Sequence, residues 1–144
     1  MGRVGRGPVA LGHRAWAGCC LFTDAERALP VYITKGAVIP APTSSSDYPL
    51  YRTPFAITIR AIHVLCVGGT NVVGGLDETD ANGANAVAVD SDITGAAGTN
   101  TDDDGALTNP TIDANDYVYW HTTSVSGSPT SVTITFEYTV DPVN

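Results

Sequence analysis

"SVTITFEYTV", residues 131–140, is the most regular strand pattern in the sequence. Apolar side chains occupy every second position, and threonine or glutamate stands between them. The apolar positions are Val132, Ile134, Phe136, Tyr138 and Val140. Such alternation predicts a β-strand with one buried and one polar face. Because the sequence ends four residues later, we expect this strand to lie in the middle of a sheet, where pairing on both sides holds it.

The segment before this strand has the same character. "DYVYWHTTSV" (116–125) also predicts a strand, and the turn residues "SGSP" (126–129) join it to the last one. The two segments therefore predict an antiparallel hairpin.

A longer strand pattern occurs in "PFAITIRAIHVLCVGG" (54–69), where the alternation changes phase. The apolar positions are first Phe55, Ile57 and Ile59, and then Ile62, Val64 and Cys66. A slip of one residue predicts a β-bulge at Arg60–Ala61, which bends the strand so that both halves face the core.

Between these segments lie two more strand patterns, "TNVVGGLDETD" (70–80) and "AVAVDSDI" (86–93), separated by the turn "DANGAN" (80–85). In the first of them we expect Val72 or Val73, and then Leu76, to face inward. Residues 94–111 are predicted to form a loose loop. Several short strands separated by turn residues indicate an all-β fold, an antiparallel β-sandwich of jelly-roll-like type.

Composition agrees with a single β domain. The chain has 144 residues, of which only 15% are charged, and Lys and Arg together number 7. Long amphipathic helices need more of these residues on their solvent faces. The length suits one domain with its own core.

Residues 1–50 are predicted to form an extended, basic, proline-rich N-terminal arm, and residues 51–144 the sandwich domain. The short apolar pieces at 29–34 and 36–40 are interpreted as edge or arm strands. Residues 1–20 resemble a signal peptide only loosely, because His13 and Arg14 interrupt the apolar stretch and Trp16 is too large. No apolar run is long enough for a transmembrane helix, and we expect no membrane partner.

Charge is distributed unevenly along the chain. Residues 1–35 carry five basic and two acidic side chains, a net charge of +3, whereas the rest carries two arginines and thirteen acidic residues, a net charge of −11. The acidic remainder argues against nucleic-acid binding, because phosphates repel it. The basic arm suits docking on an acidic surface of a neighbouring molecule; an ordinary flexible N-terminus is the alternative.

No pattern of catalytic or metal-binding residues is recognisable. Cys19 and Cys20 are vicinal, Cys66 sits in an apolar run, and none has a ligand spacing. "ETDANG" (78–83) matches the start of a calcium loop, but Val89 stands where the bidentate carboxylate is required. The acidic runs at 90–92 and 101–105 are interpreted as solvated loop tips in preference to calcium ligands. We expect no enzyme activity and no cofactor.

Histidines and aromatic residues offer one further candidate. His63 and His121 lie in strand patterns and are interpreted as surface residues. Tyr117 and Tyr119 fall on one face of the 116–125 strand pattern and Trp120 on the other, and such side chains can stack on a sugar ring or fill a core.

The segments "FAITIRAIHVLCVGGT" (55–70) and "NPTIDANDYVYWHTTSVSGSPTSVTITFEYT" (109–139) resemble short β-sandwich structural proteins of tailed bacteriophages, which serve as capsid decoration or fibre-type modules. In these proteins an "I-x-A-G-D-x-V" turn precedes a strand and an "SG-x-P" hairpin closes the fold. Here Asn115 replaces the glycine of the turn, a tolerable change because asparagine also adopts positive φ. The resemblance covers residues 54–140.

This resemblance implies a virion structural protein on the head surface, and our first hypothesis is a capsid decoration (cement) protein. Its partners would be the major capsid protein and other copies of itself, in a homo-oligomer such as a trimer. The residues expected to make arm contacts are Arg3, Arg6, Arg14, Trp16 and Tyr32. The alternative is a tail-fibre, receptor- or glycan-binding module that uses Tyr117, Tyr119 and Trp120.

Overall fold

The computed structural model describes residues 31–103 and 106–142, with the side chains of 102 and 103 left out. In these residues every regular element is a β-strand, and there is no helix with the length and apolar character to cross a bilayer. The strands are β1 (Ile33–Pro40), β2 (Ser46–Arg52), β3 (Ile57–Val67), β4 (Asn71–Thr79), β5 (Val87–Ala96), β6 (Asn100–Asp103), β7 (Thr111–Ile112), β8 (Tyr117–Ser126) and β9 (Ser131–Val140).

The strands form two antiparallel sheets that pack face to face. One sheet has the order β1-β9-β3-β6, with β7 also paired to β3, and the other has the order β2-β8-β4-β5. The prediction of an all-β antiparallel sandwich is therefore confirmed. β9 lies between β1 and β3, in the middle of its sheet, as expected. The sheet of β1 and β9 is called the first sheet below, and the sheet of β2 and β8 the second sheet.

The alternation of β9 supplies the centre of the core. Val132, Ile134 and Phe136 are fully buried, and Tyr138 is 4% exposed. The pattern fails at the last position, where Val140 is 46% exposed and Thr139 is buried instead. The second sheet covers this core with the fully buried side chains of Val72, Leu76, Val89, Val118 and Trp120.

The predicted bulge in β3 is present. Ile59 pairs with Tyr138, whereas Ala61 pairs with Glu137, so Arg60 has no partner in the β9 register. Ile57, Ile59, Ile62, Val64 and Cys66 are all buried as a result. Phe55 was expected on the same face but is 56% exposed, because it precedes the start of β3 and no strand pairing directs it inward.

The predicted arm is shorter than its assigned range. β1 pairs with β9 from Ile33 to Pro40, and β2 pairs with β8 from Ser46 onward. Residues 33–40 and 46–50 are therefore integral strand residues of the two sheets, and Ile39 contributes to the core. The interpretation of residues 36–40 as an edge strand holds, since β1 forms an edge of the first sheet. The rest of the predicted arm, residues 1–30, lies outside the described residues.

Two turn predictions can be checked directly. Asn115 has a φ of +75°, the conformation that its place in the turn requires, and its amide donates to the carbonyl of Thr53 at 2.7 Å. The residues between β8 and β9 turn with Gly127 and Ser128 both at positive φ. The predicted loop at 94–111 is partly wrong, because it contains the end of β5 and the short strands β6 and β7.

Candidate functional site

The outward face of the second sheet gathers polar side chains from three strands. Asp47 on β2 pairs in register with His121 on β8, and Asp77 on β4 pairs with Tyr119 on β8. Directly paired residues of antiparallel strands project to the same side of a sheet. His121 and Tyr119 are two residues apart and share that side, so all four side chains lie together on the solvent face.

Asp47 and His121 are in direct contact. The Oδ1 of Asp47 lies 2.5 Å from the Nδ1 of His121, with the two side chains 65% and 43% exposed. This contact leaves Oδ2 of Asp47 without a hydrogen bond from the described residues.

Asp77 lies beside this pair but is less solvated. Burial raises the pKa of the Asp77 carboxyl; His121 opposes the rise, and the charge of Asp47 adds to it. Among the described residues nothing donates a hydrogen bond to this carboxylate. It is therefore a partly desolvated acceptor without a partner of its own.

A structured turn forms one wall beside these residues. Asp80 accepts hydrogen bonds at Oδ1 from the amides of Asn82 and Ala84, and at Oδ2 from the side chain of Asn85. These bonds lower the pKa of Asp80, the Ala84 amide most strongly. They also explain the partial calcium-loop match, because the carboxylate of Asp80 holds its own turn together. Gly83 has a φ of +76°, and a Cβ added there would lie 3.2 Å from the hydroxyl of Tyr119.

Together these elements enclose a groove of about 310 Å³. Its lining residues are Asp47, Asp77, Thr79, Gly83, Ala86, Tyr119 and His121. Thr79 is 5% exposed, and its Oγ1 is a buried polar atom with no hydrogen-bond partner in the described part of the chain. The lining contains two carboxylates and neither lysine nor arginine, so the groove is rich in acceptors.

A second acidic group lies at the end of the same sheet. Carboxylate oxygens of Glu78, Asp113 and Asp116 all lie within 4.8 Å of one another, and Glu78 accepts a hydrogen bond from the amide of Asp113 at 2.7 Å. Burial raises the pKa values of Glu78 and Asp116, and the neighbouring carboxylates add to both shifts. Their spacing is compatible with one hard cation; the acidic run at 90–92 is not part of this group, and the side chains of 102–105 lie outside the described residues.

The aromatic residues predicted as a ligand face are divided between the two sides of β8. Tyr117 and Tyr119 face outward with ring centroids 6.1 Å apart in an edge-to-face arrangement. Trp120 is fully buried and donates its indole N–H to the hydroxyl of Thr122 at 3.0 Å. Inclusion of Trp120 in a surface site is therefore wrong, because alternation directs it into the core.

Of the residues predicted for arm contacts, Arg3, Arg6, Arg14 and Trp16 lie outside the described residues. Tyr32 is described and is 57% exposed, directly before β1. These assignments remain predictions.

No sequence pattern singles out Asp47, Asp77 or Thr79 as site residues. Asp47 and His121 are 74 positions apart, and only the register between β2 and β8 brings them together. The outward position of Asp77 follows from strand alternation, but its neighbours follow from pairing.

No protein-family model and no curated protein sequence matches the chain. Among solved structures, it is similar to a chain of the cyanophage Pam1 capsid asymmetric unit, with 13% identity, 98% coverage of both chains and a TM-score of 0.50. A chain of infectious bursal disease virus Gx strain gives 15% identity over 81% of this chain and 34% of that one, with a TM-score of 0.44. A chain from disulfide-linked pili of Bacillus endospore appendages has 14% identity over 79% of this chain and 93% of that one, with a TM-score of 0.34. The Pam1 likeness is one of fold.

Proposed function

We propose that this chain is a virion structural protein, specifically a capsid decoration (cement) protein bound to the outside of the head. The observation that carries the proposal is the likeness of fold to a chain of the cyanophage Pam1 capsid asymmetric unit. The match covers 98% of both chains, so it relates one small protein to another of nearly equal length. The role is structural and not enzymatic.

The strand order supports this assignment. The first and second sheets have the orders β1-β9-β3-β6 and β2-β8-β4-β5, so the chain passes repeatedly between the two sheets. This order is the one expected of a jelly roll with two Greek keys, an architecture frequent in viral capsid domains.

A cluster of exposed apolar residues offers a contact surface for the shell. Val31, Tyr32, Phe55 and Val140 are 74%, 57%, 56% and 46% exposed. They lie at one end of the first sheet, because Ile33 pairs with Tyr138 and Ile57 pairs with Val140. We call this surface the apolar end. Exposed apolar clusters of this kind mark interaction sites, and residues 1–30 join the sandwich at this end.

The mechanism is mass action. A protein that binds the assembled shell more tightly than free subunits stabilises the shell by the free energy of binding. Several modest contacts on one lattice add to high avidity. The partners are the major capsid protein and further copies of this chain, in a homo-oligomer for which a trimer is the first candidate. Arg3, Arg6, Arg14, Trp16 and Tyr32 are the proposed contacts of the arm.

The first experiment is quantitative mass spectrometry of purified particles. Copy numbers comparable to the major capsid protein support decoration, whereas a few copies per particle indicate a tail protein. Absence from the particles overturns the virion role.

A particle-binding assay then tests the apolar end. Val140→Ser is compared with Val87→Ser, because both valines are 46% exposed and only Val140 lies at the apolar end. We expect Val140→Ser, combined with Phe55→Ser, to weaken binding to particles that lack the protein by about tenfold or more. Val87→Ser should leave binding unchanged. Equal binding of all variants would contradict the proposed contact surface.

A further inference from the structure

The groove on the second sheet is separate from the proposed shell contact. It lies between β2, β4, β8 and the turn at 80–86, whereas the apolar end belongs to the first sheet. No part of the decoration mechanism uses Asp47, Asp77 or Thr79, so the chemistry of the groove is considered by itself.

The groove presents acceptors that lack donors. The carboxylate of Asp77 receives no hydrogen bond from the described residues, and Asp47 uses only Oδ1 in its contact with His121. The hydroxyl of Thr79 is buried and unpartnered, an unfavourable state that a ligand inside the groove would relieve. A ligand with several hydrogen-bond donors and a positive charge would satisfy these acceptors.

The described basic side chains are engaged elsewhere. Lys35 lies over the ring of Tyr51 at 5.3 Å, and Arg52 lies over Tyr117 at 5.9 Å. Both nitrogens Nε and Nη2 of Arg60 donate to Thr139 at 3.4 Å. A cation for the groove must therefore come from outside the described sandwich.

We propose that the groove between Asp47, Asp77 and Tyr119 binds the guanidinium group of an arginine side chain. A guanidinium offers five N–H donors in a plane, binds carboxylates in a bidentate manner and stacks on aromatic rings. Asp77 accepts two of these donors, Oδ2 of Asp47 and Oγ1 of Thr79 accept others, and the ring of Tyr119 forms the wall. Binding of the cation also compensates the desolvated charge of Asp77.

Two other ligand classes fit less well. A divalent metal needs ligand atoms that converge, and in the described part of the chain the one such set of three is Glu78, Asp113 and Asp116. A neutral sugar would hydrogen-bond to the carboxylates but leave the negative charge of Asp77 without a cation in contact. The charge of the groove therefore favours the guanidinium.

Two sources of the arginine are distinguishable. One source is the segment 1–30 of the same or another copy of this chain, which carries Arg3, Arg6, Arg14 and Arg27. The alternative source is an arginine of a different protein partner. Both present the same chemistry to the groove.

The test is a titration of the full chain with N-acetyl-arginine-methylamide, monitored by NMR of the backbone amides. The citrulline analogue, which has the same shape and no charge, serves as the ligand control. We compare the native chain with Asp77→Asn and with Asp92→Asn, an equal change of charge at an exposed position of β5. A fourth protein has all four arginines of residues 1–30 replaced by glutamine.

We expect the arginine probe to shift the amides of β4 and β8 and the citrulline probe to have no effect. Asp77→Asn should weaken binding by about tenfold, and Asp92→Asn should bind as the native chain does. If only the arginine-free variant binds the probe, segment 1–30 already occupies the groove; equal binding by both indicates a separate partner. Asp77→Asn is therefore made in both the native and the arginine-free chain, and the proposal is overturned if it leaves the binding seen in the same background unchanged, if no protein binds the probe, or if methyl glycosides bind and arginine does not.

Discussion

Asp47 and His121 face each other across the β2–β8 pair, with 2.5 Å between Oδ1 and Nδ1. The contact joins the exposed Asp47 to the strand that carries Tyr119 and Trp120. It places one carboxylate next to an imidazole, while Asp77, on the other side of β8, has no such partner. The three side chains therefore differ in how their charge is compensated, and this difference can be measured.

Asp77→Asn should stabilise the protein at neutral pH. Because burial raises the pKa of Asp77 in the folded state, the folded chain holds this proton more tightly than the unfolded chain. The cost of the ionised form is thus present above the folded pKa and disappears as the pH falls through it. We expect a gain in the free energy of unfolding of up to about 1 kcal/mol at pH 7.

Urea denaturation at pH 7 and at a pH below the ordinary value of 3.8 measures this effect. Asp92→Asn is the control and should change little at either pH. An Asp77→Asn variant that is less stable than the native chain at pH 7 would show that attraction to His121 outweighs burial.

Trp120→Ala and Tyr119→Ala compare the stability cost of truncating a buried and an outward-facing side chain of β8. Trp120 is fully buried, and its truncation should cost about 3–5 kcal/mol of stability. Tyr119 lies on the opposite side of β8, so Tyr119→Ala should lower the stability far less. Thermal unfolding followed by circular dichroism compares them. If Trp120→Ala stays as stable as the native chain, the indole does not stabilise the core.

Gly74→Ala should destabilise the sandwich through contact with Trp120. An added Cβ would lie 2.5 Å from Cζ2 of Trp120 and against the carbonyl oxygen of His121. Overpacking of this kind costs about 1–3 kcal/mol. In a double-mutant cycle, Trp120→Phe should remove part of the penalty, so that the two changes are not additive. Strict additivity would rule out the indole as the cause.

Cys66 should be inert towards thiol reagents in the folded protein. The side chain is fully buried, so reagents do not reach the sulfur. Burial also raises the pKa of its thiol, which lowers the fraction of reactive thiolate. In a Cys19→Ser/Cys20→Ser variant, labelling by a disulfide reagent should follow unfolding by urea. Rapid labelling without urea would mean that the β3 side of the core opens readily.

Two truncations distinguish the arm from the sandwich. Removal of residues 1–30 leaves all nine strands, and we expect cooperative unfolding to remain. Removal of residues 1–46 deletes β1, which contributes Ile39 to the core and pairs with β9 along its length. That variant should fail to fold or lose several kcal/mol, measured by circular dichroism and urea titration. If the variant without residues 1–46 is stable, the predicted boundary between arm and sandwich at residue 50 would be correct after all.

The sequence by itself determined where most strands lie. The alternation in β9, the phase change at Arg60 and the positive φ of Asn115 all depend on local steric and hydrophobic preferences, which a linear pattern records. Period two also placed Tyr117 and Tyr119 opposite Trp120. The same reasoning could not decide which of the two faces was covered by another sheet.

Only the tertiary structure decided which strands are neighbours. Residues 33–50 looked like an arm because each piece is short and rich in proline, yet pairing with β9 and β8 makes them β1 and β2. The same pairing brings Asp47 to His121 across 74 positions. Register between distant strands is set by the global packing of the core, so the groove has no signature in the sequence.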